Sequence, residues 1–299
     1  MTMVISQDFA HRIGLGTVQF GLDYGISNAS GVVSPAEVSK ILAYAREHGV
    51  KVIDTAAAYG ESEKVLGKTL PRHHAFKIVT KVPAAVASHS HPHQNDIAKT
   101  FLRSLDLLKQ PVLDTLMLHQ ANDLLTEDGP SIYDEMAALK KSGLVRRLGV
   151  SIYERDQIDS IFSEFSFDVV QVPINVFDQR LLQDGTLAHL KSLGVEIHAR
   201  SVFLQGLILM KTSEIPDHLE ALRPYHSKFK NLVEKNGMTS ISAALSFVLN
   251  IKEIDVVLVG VTSLAQLKEV LNTPTTTNIG FSEFNVTAKE LIDPRLWPK

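Results

Sequence analysis

The chain has no cysteine among its 299 residues. That absence excludes disulfides, thiolate nucleophiles and zinc-thiolate sites, and nothing points to an oxidising compartment. No apolar run approaches the ~18 residues that a membrane-spanning helix needs. Net positive charge is missing as well: 33 acidic against 30 basic side chains give a formal charge of −3. Nucleic acids and membrane surfaces favour a basic face, so neither partner is expected, and a small, weakly charged one is. The opening MTMVISQDFAHRI lacks a basic segment followed by an apolar one, so no signal peptide is expected and the cytoplasm is the default location. Low-complexity tracts and Pro/Gly/Ser-rich linkers are also lacking. So is a GxGxxG phosphate loop after the first strand-like run, because Gly14, Gly16 and Gly21 have the wrong spacing, which weakens a doubly wound dinucleotide fold.

What is present is alternation. Eight short β-rich apolar runs can be read: Ile13 to Thr17, Val50 to Asp54, Lys77 to Lys81, Thr115 to His119, Arg147 to Ser151, Asp168 to Val172, Glu196 to Ala199 and Val256 to Gly260. Between them lie amphipathic helical patterns. The clearest is PAEVSKILAYAREHG, with Ser34 as N-cap, Pro35 at the first helical position and Gly49 as the stop. Others are NDIAKTFLRSLDLLKQ, SIYDEMAALKKSG, RDQIDSIFSEF and TSLAQLKEVLN, and the stretch from Pro216 to Asn250 has room for two helices. This order predicts an α/β fold, a (β/α)8 TIM barrel in a single domain over 1–299, with an irregular tail from about residue 273 folded over one end.

Barrel active sites sit at the carboxyl ends of the strands. Asp54 closes the second predicted strand, Lys81 the third, His119 the fourth and Ser151 the fifth, with Gln171 near the end of the sixth and Tyr59 five residues beyond Asp54. Each has an ordinary reading taken singly: Asp54 as a helix cap, Tyr59 as a half-buried aromatic, Lys81 as a strand-end lysine, His119 as a core histidine. Together they suit one chemistry. A phenol with an unperturbed pKa near ~10 becomes a better proton donor beside an ammonium, which Lys81 supplies and a carboxylate at Asp54 keeps charged. His119 would orient a carbonyl oxygen toward Tyr59. Side chains cannot deliver hydride, so a nicotinamide is implied.

The motifs GLGTVQFG (14–21), IDTAAAYGESEKVLG (53–67), TKV (80–82), LMLHQ (116–120), LGVSIY (148–153), QVPINVFD (171–178) and VGVTSLAQLKEVL (259–271) resemble aldo-keto reductases, in order along nearly the whole chain. The resemblance implies Asp54, Tyr59, Lys81 and His119 as a catalytic tetrad with Tyr59 as general acid. It implies a bound NADP or NAD held by Gly16 and Thr17, by Ser151 and Gln171 at the carboxamide, by Arg200 at the nicotinamide, by Ser201, Phe203, Gln205 and Gly206 along the pyrophosphate, and by Gly260, Val261, Thr262, Gln266 and Glu269 at the adenosine end. A helix opened by GVTS would offer free N–H groups to phosphate there.

The sequence also departs from the family. Ile152 replaces a usual Asn, and Arg200 stands where many members stack a tyrosine on the nicotinamide. Gly260 and Gln266 occupy positions where many members carry the cations that grip the 2′-phosphate of NADP, so the choice of cofactor stays open.

Other features are assigned lesser roles. SHSHPH (88–93), near His73 and His74, reads as a loop beside the substrate mouth rather than as a metal site. Lys140, Lys141, Arg146 and Arg147 read as solvated cations where strands begin, and Glu61 and Glu63 as carboxylates in the first turn of a helix. Phe20, Tyr24, His89, His91, Phe177 and Phe203 are expected to line the mouth.

The expected activity is NAD(P)H-dependent reduction of an aldehyde or ketone, sugar-like carbonyls included, by a monomer or weak homo-oligomer. Two alternatives use the same fold: a nucleotide-binding regulatory subunit with little turnover, and a Schiff-base lyase in which Lys81 is the nucleophile.

Overall fold

Eight parallel strands close on themselves in the order of the chain: β1 (Ile13–Gly16), β2 (Val52–Asp54), β3 (Lys77–Val82), β4 (Leu113–Leu118), β5 (Val145–Ser151), β6 (Val169–Pro173), β7 (Glu196–Arg200) and β8 (Val256–Gly260). The computed structural model describes residues 9–71, 74–83, 96–276 and 279–298. Helices alternate with the strands: α1 (Pro35–Glu47), α2 (Ser62–Thr69), α3 (Asp96–Leu108), α4 (Gly129–Lys141), α5 (Arg155–Glu164), α6 (Arg180–Gln183), α7 (Thr186–Ser192), α8 (Arg223–Lys235), α9 (Ser240–Leu249), α10 (Leu264–Asn272) and α11 (Lys289–Ile292). The expected (β/α)8 barrel is therefore the fold. Ser34 caps α1 by accepting from Glu37 N, and Gly49 takes a φ of +85° just past the helix. The Pro216 to Asn250 stretch holds α8 and α9, whereas the pair α6 and α7 lacked a readable pattern in the sequence. Among the described residues no helix is long and apolar enough to cross a membrane.

Strand register decides which side chains face the barrel axis, because paired residues share a face. Val52, Val79, Met117, Val169, Val256 and Leu258 form an apolar cluster of their own, apart from the larger core between strands and helices. Pairings such as Gly14 with Val52 and Leu258, and Met117 with Gly149, set that inward layer. Two residues further along each strand, the same face presents Asp54, Lys81, Ser151, Gln171, Arg200 and Gly260 at the carboxyl ends. His119 follows β4 two residues past Met117. Period-two alternation thus turns a greasy plug into the floor of a polar site.

Two expectations are corrected here, for Arg147 and for the pair Phe20 and Phe177. Arg147 is not a solvated cation: it sits at the opposite end of the barrel, where it binds Asp114, donates to Glu196 at 2.6 Å, and shares Glu196 with buried His198. Inward parity at the start of β5 puts it there. Glu63 lies in the first turn of α2 as expected; it is buried there, accepting from Thr80 Oγ1 at 2.6 Å, and burial raises its pKa. Glu61 pairs at the surface with Lys64. Phe20 and Phe177 are fully buried rather than at the mouth, and Phe177 packs edge-on against Phe229.

The segment after α10 lies against the loops that follow β5 and β6. Val286 N bonds Phe177 O at 2.8 Å, Lys289 bonds Glu154 at 2.9 Å, and the Arg295 guanidinium rests 3.2 Å from the Tyr153 ring centroid. The segment 88–93 with its histidines, and His73, lie outside the described residues.

Candidate active site

The turn between β2 and α2 is held by hydroxyls and by two glycines. Thr17 Oγ1 donates to Asp54 O at 3.0 Å. Ser62 Oγ lies 2.9 Å from both the carbonyl oxygen and Oγ1 of Thr17, and 3.1 Å from Thr55 Oγ1. All these hydroxyls are buried. They tie the Tyr59 turn to the end of β1, a role the motif did not disclose. Backbone bonds from Tyr59 N to Ala56 O and from Ala57 N to Lys81 O, each 3.0 Å, fix the rest.

At the floor, Lys81 Nζ donates to Asp54 Oδ2 at 2.6 Å, to Thr55 O at 3.1 Å and to Tyr59 Oη at 3.4 Å. Gln171 Nε2 donates to the other carboxylate oxygen of Asp54 at 2.8 Å. Burial works against the charge on Lys81, but Asp54 and Tyr59 outweigh it and hold its pKa above the ordinary lysine value. Lys81 is thus an ammonium, locked by three acceptors. The Tyr59 and His119 rings meet edge-on with centroids 5.9 Å apart. Burial first, and the Lys81 charge second, push the His119 pKa down to about 4, so its imidazole is neutral near pH 7 and keeps one N–H to donate.

Above this floor runs a cleft of about 680 Å³. Asp54, Tyr59 and His119 line one end, and Lys81 lies beneath them out of contact with the cleft. Every residue predicted for the cofactor lines it: Gly16, Thr17, Ser151 and Gln171; Arg200, Ser201, Phe203, Gln205 and Gly206; Gly260, Val261, Thr262, Gln266 and Glu269. Tyr24 is at the mouth as expected. Sequence reasoning missed the loop after β1, from Gly25 to Ser30, and also Gln19 and Tyr153. Loops after β1 and β7 touch across the cleft, where a Cβ on Gly206 would stand 1.8 Å from Ser27 Oγ. Ser201, Leu204 and Gln205 all adopt positive φ, a strained turn of the kind that collects at functional sites.

At the adenosine end several backbone donors have partners within the protein. In the first turn of α10, Leu264 N bonds Glu37 Oε1 at 2.8 Å and Gln266 N bonds the N-cap Ser263 Oγ at 3.2 Å. Gln266 folds back to accept from Thr262 N at 2.8 Å. Local capping chemistry and a carboxylate from α1 thus satisfy these three N–H groups. Ile152, at the departure beside Ser151, is fully buried and contributes to the core.

The residues fit a nicotinamide dinucleotide. The cleft is continuous from Tyr59 to Glu269 and falls within the ~300–1,000 Å³ of small-ligand sites. Gln19 Oε1 is buried there without a partner, and a side chain at Gly260 would collide with the Gln19 amide at 2.8 Å. Among the described residues no cluster of three His, Asp or Glu side chains is arranged to hold a metal.

Residues 12–285 match the family described as Aldo/keto reductase family. The aldo-keto reductase YhdN of Bacillus subtilis is 25% identical over 242 residues, covering 78% of this chain and 71% of that protein. D-arabinose 1-dehydrogenase of Saccharomyces cerevisiae is 31% identical over 171 residues, about half of each chain. Among solved structures, the aldo-keto reductase AKR11C1 of Bacillus halodurans, in its holo form, aligns with a TM-score of 0.70 at 19% identity, over 89% of this chain and 88% of that one. The glycerol dehydrogenase AKR11B4 of Gluconobacter oxydans aligns with a TM-score of 0.69 at 22% identity, over the same shares. The chain belongs to the aldo/keto reductase family and is an oxidoreductase of that kind.

Proposed function

We propose that this oxidoreductase uses NADH or NADPH to reduce an aldehyde or ketone to an alcohol, with Tyr59 as the group that protonates the carbonyl oxygen. The bound nicotinamide supplies the hydride; the chain supplies everything else. Gly16, Ser151, Gln171, the 201–206 turn and the 260–269 segment would hold the cofactor along the cleft. Neutral His119 donates a hydrogen bond to the carbonyl oxygen and orients it over the phenol. Tyr59 Oη then gives its proton to that oxygen, and Lys81 stabilises the phenolate left behind. Asp54 and Gln171 keep the ammonium charged and aimed.

The observation that carries this reading is the contact chain Asp54 Oδ2, Lys81 Nζ, Tyr59 Oη, with steps of 2.6 and 3.4 Å, ending at the cleft. The same chain argues against a Schiff-base lyase, because an ammonium with a raised pKa and three acceptors has no lone pair for attack. The test is titration with NADH and NADPH by nicotinamide fluorescence, followed by an aldehyde and ketone panel. Saturable quenching with turnover of some carbonyl supports the proposal. Tight cofactor binding with no turnover across the panel would instead favour a regulatory nucleotide-binding protein.

A further inference from the structure

The charged groups along the cleft do not balance at the mouth. Asp54 is neutralised by Lys81, Glu269 lies at the far end on α10, and His119 is uncharged near pH 7. Arg200 remains. No carboxylate lies within ion-pair distance of it among the described residues.

Its setting is built rather than accidental. Arg200 ends β7, where its carbonyl accepts from Ile174 N at 3.0 Å. Its guanidinium lies 4.0 Å from the centroid of the Tyr153 ring, a stacking contact that fixes the plane of the fork. Arg295 lies on the same ring, but its charge is taken by buried Asp293 through bonds of 2.9 and 3.1 Å. Arg200 has only Ser201 Oγ, at 3.3 Å, and its Nη2 is buried with no acceptor. A buried charged donor left unmet is costly, and a planar fork matches an oxyanion in two-point contact. Arg200 lines the same cleft as Tyr24, Tyr59 and His119, so an anion on Arg200 shares one cavity with a carbonyl at Tyr59.

We infer that the substrate is an oxo acid, a carbonyl compound whose carboxylate is held by Arg200 while its carbonyl faces Tyr59 and His119. This rests on the reductase reading above. A single unneutralised guanidinium fits a monoanionic carboxylate better than a phosphate dianion.

The test compares 4-oxobutanoate, its methyl ester and glycolaldehyde phosphate as substrates for wild type, Arg200→Leu and Arg200→Lys. The expected result is a kcat/KM for the acid at least about tenfold above that for the ester, a ratio that collapses in Arg200→Leu and is partly kept in Arg200→Lys. Butanoate and butanamide binding to the NADH-loaded protein, followed by saturation-transfer NMR, gives a second readout that needs no turnover. Butanoate should bind more tightly than butanamide, and only while residue 200 is cationic. If no carbonyl is reduced but butanoate binding still depends on Arg200, the reductase reading fails and the anion site stands. Equal use of acid and ester, an unchanged ratio in Arg200→Leu, or a preference for the phosphate would overturn the inference.

Discussion

Gly21 and Gly60 meet backbone against backbone, with no room for a methyl group on either. A Cβ on Gly21 would stand 2.0 Å from Tyr59 O, and one on Gly60 would stand 2.4 Å from Gly21 O. Gly60 also has a φ of +55°. This contact seats the Tyr59 turn on the loop after β1. Gly60→Ala should therefore cost about 2–4 kcal/mol, from overpacking plus strain, and should displace the phenol. Denaturant midpoints with activity on the folded fraction check this. A loss below about 0.5 kcal/mol would contradict it.

Ser62 ties Thr17 and Thr55 together from the first turn of α2. Ser62→Ala leaves those buried groups short of a partner and should cost about 1–3 kcal/mol. Turnover should fall further than cofactor affinity, because the cleft walls at Gly260 and Ser201 are untouched. Thermal melts and nicotinamide titrations on the same samples separate the two effects.

Acid should destabilise the fold earlier than its carboxylates alone imply. His119 and His226 are both held at about 4 against an ordinary 6.5, by burial first and then by Lys81 and Lys230 respectively. Between those limits the unfolded chain binds protons that the folded chain refuses. Their stabilising contribution is thus whole above about pH 6.5 and is lost as pH falls toward 4, at about 1.4 kcal/mol per pH unit for each histidine. Glu196, held down at about 2, adds a loss below about 4.5. Urea midpoints from pH 7 to 4.5 should drop, and His226→Gln should flatten the slope by about one proton. A slope unchanged by that substitution would refute the assignment.

Glu37 brings a carboxylate to the first turn of α10, where a 2′-phosphate would approach, and neither Gly260 nor Gln266 answers it with a cation. Glu37→Gln should raise affinity for NADPH by about two- to five-fold while changing NADH less, since charge at a helix start acts over a turn. Parallel fluorescence titrations measure both. Equal changes for the two cofactors would show that Glu37 does not sense the phosphate.

The barrel and the floor of the site were legible because both follow from alternation. Val52 and Asp54, Val79 and Lys81, or Val169 and Gln171 are two apart, so the period that makes a strand also aims its last inward side chain. The cleft residues were readable only through the resemblance of the flanking motifs to aldo-keto reductases. What escaped the sequence was non-local. Glu37 meets Leu264 across 227 positions, and the Tyr153 ring gathers Arg200 and Arg295 from 47 and 142 positions further along the chain. Arg147 looked like a surface charge because nothing near it in sequence announces its partners, buried Asp114 and half-buried Glu196.

The role given to the phenol is tested most directly by single-turnover reduction in Tyr59→Phe, with nicotinamide fluorescence recorded on the same samples. Cofactor affinity should stay within about twofold, while the reduction rate falls by about 10²–10⁴. A variant that reduces carbonyls as fast as wild type would show that the proton comes from elsewhere.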